Sequence, residues 1–201
     1  MENNTLAIAR KNMYSFLSNL YLFEIDEKQL LALKQMEFPK EGTNEELLEG
    51  YKEIASYLSE KEANQDTLDE LAVDYARIFL SAGVAQGKAA FPYESVYTRK
   101  QHLIMQEAGS SAAALYAKKG LEPRKDMYRI PEDHIGLLLE YMGRICDEDV
   151  NEQKEFLQYH LINWVPAFVQ DVLKYSSVGF YRGLAKLTKG FLTMEADYLS
   201  E

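Results

Sequence analysis

A single cysteine, Cys146, stands in the 201 residues of the chain. An intramolecular disulfide is therefore impossible, and nothing in the composition requires an oxidising compartment. The three histidines, His102, His134 and His160, are scattered and have no cysteine companions at ligand spacing, so no zinc pattern exists. No window approaches about 18 consecutive apolar residues, which argues against stable membrane insertion. An acid appears early, at Glu2, and Arg10, Lys11 and Asn12 interrupt the apolar stretch that follows. Neither the basic leader nor the unbroken apolar core of a secretory signal is present, and cytoplasm is the expected location. Positive charge is also scarce. Twenty-two basic against 32 acidic residues give a formal charge of −10. Such a surface repels phosphate and disfavours nucleic acid and anionic lipid, so a charged partner should be cationic. No phosphate-cradling glycine loop, dinucleotide fingerprint or nucleophile elbow occurs, and no catalytic residue, metal or cofactor is expected.

Apolar and aromatic side chains are plentiful, at 47% and 12% of the chain. At this length they suffice for a core without covalent staples, and one domain over 1–201 is expected. Their spacing is helical. Leu68, Leu71, Ala72, Tyr75, Ile78 and Phe79 follow the i, i+3, i+4, i+7 stripe of a core-facing helix. So do Ile135, Leu138, Leu139, Met142, Ile145 and Cys146, and, near the C-terminus, Phe180, Leu184, Leu187, Phe191, Met194 and Tyr198. Weaker stripes run through 3–22, 27–37, 44–59, 100–119, 152–162 and 165–176. Strand-like alternation is nearly missing. The pattern predicts an all-α fold of about nine helices.

Local signals punctuate these stripes. Thr43 or Asn44 can cap a helix starting near Glu45. Gly120 follows Lys118 and Lys119 as a C′ glycine, and Pro131 is placed to open the next helix with Glu132 and Asp133 behind it. Two regions are irregular, 81–92 and 120–130. Residues 1–60 carry 6 basic and 11 acidic groups, 61–130 carry 10 and 9, and 131–201 carry 6 and 12. The near-neutral middle suggests a hinge at 120–130 between lobes of about 1–119 and 131–201, or equally a solvated loop within one domain. A hinge there leaves room for either a monomer or a domain-swapped dimer.

Two segments hold most of the functional information. In Pro92-Tyr93-Glu94-Ser95-Val96-Tyr97, a proline fixes the backbone ahead of two tyrosines four residues apart, which share a face if the segment is helical. They either close a core or form an apolar shelf with hydroxyl edges, suited to a peptide. In Pro131-Glu132-Asp133-His134-Ile135-Gly136, the acids suit a helix start. Gly136 costs about 1 kcal/mol relative to alanine inside a helix, so it points to a close approach. Asp133 and His134 could also serve as an acid–base pair, although no nucleophile lies nearby in sequence.

Tyr75-Ala76-Arg77-Ile78-Phe79, Pro92 to Tyr97 and Pro131 to His134 together resemble the TorD-like redox-enzyme maturation chaperones. Phe156 to Leu161, Trp164 to Phe168 and Phe180 to Ala185 resemble the same family, in the expected order over about 70–200. Where the family has a Gly-Pro turn and a Pro-Pro pair, this chain has Ser81-Ala82-Gly83, and Phe91 in place of the first proline. The resemblance implies a cytoplasmic, all-helical, non-enzymatic chaperone. Its partner would be a molybdenum-containing oxidoreductase with a twin-arginine signal peptide, whose export is delayed until cofactor insertion is complete. It also implies peptide contact through Pro92, Tyr93, Val96, Tyr97, Pro131, Asp133 and His134. On physical grounds Asp133 or Glu94 could receive guanidinium groups. The alternatives are an assembly chaperone of a non-exported, nitrate-reductase-type enzyme, or a small hydrolase using Asp133 and His134.

Overall fold

The apolar stripes become helices in the computed structural model, which describes residues 2–80, 83, 87–98, 107–122 and 130–200. In chain order they are α1 (Glu2–Leu22), α2 (Glu27–Gln35), α3 (Glu45–Glu60), α4 (Gln65–Ile78), α5 (Glu94–Thr98), α6 (Glu107–Lys118), α7 (Ile135–Ile145), α8 (Val150–Leu157), α9 (Val165–Tyr175) and α10 (Gly179–Ser200). A π-helical turn, Gln158–Ile162, continues α8. Among the described residues, nine of the ten α-helices are eight residues or longer, and α5 is a five-residue turn of helix. Among the described residues there is no strand, and no helix is long and apolar enough to cross a membrane.

The ends of the helices follow local chemistry. Asn44 caps α3 by accepting the Leu47 N–H at 2.9 Å, and Asn64 caps α4 through the Thr67 N–H at 3.0 Å. Helix α6 ends at Gly120 with φ +67°, where the Leu121 N–H reaches the Tyr116 carbonyl at 2.9 Å, a Schellman closure that needs a glycine-like backbone. The α7 boundary differs from expectation. Pro131 does not open the helix. His134 is the N-cap, with ψ 134°, and helical geometry starts at Ile135. Pairing of the 133–135 backbone with a distant segment, described below, holds residues 131–134 out of the helix. Of the irregular segment expected at 120–130, residues 123–129 lie outside the described residues, as do the first seven residues of the stripe expected over 100–119.

The chain divides into two compact units, neither continuous in sequence. One comprises 1–22, 92–165 and 196–201, and the other 23–91 and 166–195. This division does not coincide with one at 120–130, because residues on both sides of that segment belong to the same unit.

In the first unit, α1 packs along α7. A Cβ on Gly136 would fall 2.5 Å from Leu22 Cγ, and one on Gly143 would fall 3.1 Å from Tyr14 Cβ. The close approach suggested by Gly136 is therefore that of α1. Ser18 Oγ donates to the Gly136 carbonyl at 2.8 Å on the same seam. Further along, the buried Arg10 donates to the Cys146 carbonyl at 2.6 Å and to Gln153 Oε1 at 2.8 Å, tying α1 to the end of α7 and to α8.

The second unit is built on rings. Tyr75, Phe79, Phe168, Phe180 and Tyr181 pack edge-on or tilted, with Phe79 and Tyr181 centroids 5.7 Å apart at 89°. The buried Asp74 accepts from Ser176 Oγ at 2.6 Å and from Ser177 Oγ at 3.1 Å, and pairs with Arg77.

Gly136→Ala tests the α1–α7 seam. Overpacking costs about 1–3 kcal/mol, against about 1 kcal/mol regained in helix propensity. A net destabilisation in urea unfolding is expected, larger than that of Gly143→Ala. Stabilisation by Gly136→Ala would show that the seam has slack.

Candidate functional site

The two segments singled out in the sequence meet directly. Tyr93 and His134 form an isolated antiparallel bridge. The Ile135 N–H donates to the Pro92 carbonyl at 2.8 Å and the Glu94 N–H to the Asp133 carbonyl at 3.1 Å. Pro92 has no N–H of its own, but its carbonyl is free to accept, so a proline fits this position. Both segments lie in the first unit.

Asp133 completes the junction. Its side chain has no exposed surface, and Oδ2 accepts the Ser95 N–H at 2.9 Å. That N–H lies in the first turn of α5, where amides lack helical partners, so the carboxylate caps α5 from a different part of the chain. Burying such a group is costly without a hydrogen bond, which identifies this contact as what makes Asp133 tolerable here. The other oxygen, Oδ1, lies 3.6 Å from where a Cβ on Gly109 would sit and has no donor among the described residues.

His134 is engaged differently. Nδ1 accepts the Gly136 N–H at 3.0 Å, capping α7, and the ring meets Tyr93 edge-on at 5.1 Å. Burial pushes its pKa down from 6.5 to about 3, so the imidazole is neutral at pH 7. Asp133 and His134 thus each serve a backbone amide, an arrangement that builds structure rather than acid–base chemistry.

The remaining sequence-derived residues surround this junction. Pro92 and Val96 are buried, while Tyr93, Tyr97 and Pro131 are half-buried. Helix α5 begins after Tyr93, so the two tyrosines meet different rings. Tyr93 packs on His134, and Tyr97 stacks on Trp164 with centroids 5.5 Å apart at 24°. Burial, and secondarily Asp133, raises the Tyr93 phenol pKa. The Trp164 indole N–H donates to the His160 carbonyl at 2.7 Å, linking the junction to the π turn.

Sequence reasoning missed the pair that the π turn creates. His160 Nδ1 donates to Glu94 Oε2 at 2.8 Å, and both side chains are buried. The pair borders a cleft of about 480 Å³ between α5, α6, α7 and α8. Its α8 wall is Glu152, Glu155, Phe156, Tyr159 and His160, positions that share one helical face. That spacing is visible in the sequence, whereas the opposite wall around Glu94 is not. Among the described residues, no group of His, Cys, Asp or Glu could hold a metal ion.

The neutral His134 makes stability pH-dependent. Between about 3 and 6.5 the unfolded chain binds a proton that the folded chain refuses. The stabilisation is complete above 6.5 and lost as pH falls, by at most about 1.4 kcal/mol per pH unit. Asparagine can accept the same Gly136 N–H without titrating. Urea unfolding of His134→Asn from pH 4 to 7 should show a shallower acid slope than the parent chain; equal slopes would contradict a buried neutral imidazole.

Comparison with known proteins agrees with this architecture. The chain is 28% identical to the chaperone protein TorD of Vibrio vulnificus over 206 residues, covering 94% of each. It is also 28% identical to TorD of Shewanella pealeana over 211 residues, covering 99% of this chain and 93% of that one. A crystal structure from Archaeoglobus fulgidus, described as a redox enzyme maturation protein, shares the fold with a TM-score of 0.59 at 23% identity, over 92% of this chain and 93% of that one. The nitrate reductase delta subunit family matches residues 41–170, a span that contains the Tyr93–His134 junction and the π turn. The chain belongs to this family, the TorD-like chaperones of redox-enzyme maturation.

Proposed function

We propose that this chaperone acts in the cytoplasm, binding the twin-arginine signal peptide and the apo form of a molybdenum-cofactor oxidoreductase, and delaying export until the cofactor is inserted. The observation that carries the reading is the junction of Pro92–Tyr97 with Pro131–His134. In this reading Tyr93, Tyr97 and Pro131, all half-buried, meet the apolar part of the peptide. Pro92, Val96, Asp133 and His134 act beneath them as positioning residues. Aromatic faces rimmed by hydroxyls suit an apolar segment with a polar backbone. A net charge of −10 draws in the cationic end, so association should be salt-sensitive. A chaperone for a non-exported, nitrate-reductase-type client is the second reading, favoured by the family that matches 41–170. The two readings differ in whether a twin-arginine peptide binds.

Titration calorimetry on Asp133 variants tests the positioning role. Asp133→Asn keeps an oxygen for the Ser95 N–H and should hold signal-peptide affinity within about threefold, or ~0.6 kcal/mol. Asp133→Ala should cost about 1.5–3 kcal/mol of stability and weaken the peptide as α5 loosens. A tenfold or greater affinity loss in Asp133→Asn at unchanged stability would instead put the carboxylate against the peptide.

A further inference from the structure

We propose that the cleft beside the Glu94–His160 pair is a guanidinium subsite, taking one arginine side chain of the client peptide. The proposal rests on the peptide-binding reading above and adds where the cationic end is held. Three carboxylates line the cleft: Glu94, Glu152 and Glu155. Two are engaged already. Glu94 accepts from His160, while Glu152 pairs with Lys119 at 2.7 Å and accepts from Tyr141 Oη at 3.3 Å. Lys119 also pairs with Glu148, at 2.6 Å. Glu155 is exposed and has no ion-pair partner among the described residues. The lining is therefore short of positive charge, and the shortage falls at its mouth.

The walls narrow the choice of cation. Tyr159 is 66% exposed, an unusual position for a large ring, and lies four residues beyond Glu155. Phe156 and Tyr141 lie deeper and are nearly fully buried. A planar guanidinium can stack on a ring while its edge donates two hydrogen bonds to a carboxylate, a combination an ammonium cannot make. About 480 Å³ accommodates an arginine side chain with adjoining backbone. An anion would meet the carboxylates unfavourably, and a purely apolar ligand would desolvate Glu155 without giving it a donor.

Isothermal titration of the full chain with two synthetic 20-residue peptides tests this. One carries adjacent arginines ahead of an apolar run; the other carries citrulline, the neutral isostere, at both positions. In the parent chain the citrulline replacement should cost about tenfold in affinity. In the Glu155→Gln, Tyr159→Ala double variant, altered only at exposed positions, it should cost less than about threefold, with the citrulline peptide binding both chains equally. Glu49→Gln, in the second unit, should leave the tenfold ratio intact. If the double variant keeps the full ratio, the arginine is held elsewhere and the cleft assignment fails while peptide binding stands. If neither peptide binds the parent chain, the peptide-binding reading fails and the subsite with it.

Discussion

Asp133 is a carboxylate with no exposed surface, bonded to the amide of Ser95, 38 residues earlier in the chain. Much of the site depends on that contact. It caps α5, a helix of five residues that is too short to hold itself in place. The flanking backbone bonds fix the entry to α5 at Pro92 and the entry to α7 at Ile135. With α5 anchored, Glu94 meets His160 and Tyr97 meets Trp164. Removing the carboxylate would release several contacts together, because they share one short element.

The support beneath the junction is a helix pair made close by small residues. Gly136 lies two residues beyond the His134 cap, and its missing side chain admits Leu22 of α1. Ser18 and Arg10 hold the same helix by hydrogen bonds to carbonyl groups of α7 and its end. The first residues of the chain therefore bear on a site about a hundred residues away in sequence. The TorD-like resemblance read from the sequence did not extend to residues 1–65, yet residues 1–22 form the scaffold of the unit that holds the junction.

The helical periodicity of this chain made the long helices legible, since each buries a continuous stripe. Capping at Asn44 and the glycine at 120 were legible for the same reason: their chemistry is local. The importance of Pro92–Tyr97 and Pro131–His134 was also readable, but not their union. A bridge between segments some 40 residues apart leaves no periodic trace. The start of α7 was misplaced because Pro131 and two acids form a strong local signal, which the tertiary pairing of 133–135 overrides. Glu94 illustrates the same limit. Alone it reads as a surface acid at a helix start, and only the π turn brings His160 to it. The two-unit division was equally hidden, since each unit is assembled from separated segments.

Under this account the acidity of the chain has a specific use. Carboxylates line a cleft beside an aromatic junction, and in the proposed reading a cationic, apolar peptide would span the two. Hydrogen exchange of the full chain, with and without a synthetic arginine-pair signal peptide at low salt, tests this most directly. The account predicts added protection at the amides of 93–98 and 155–163, with little change in α2 and α3. Protection confined to residues 27–60, with none at 93–98 or 155–163, would contradict it.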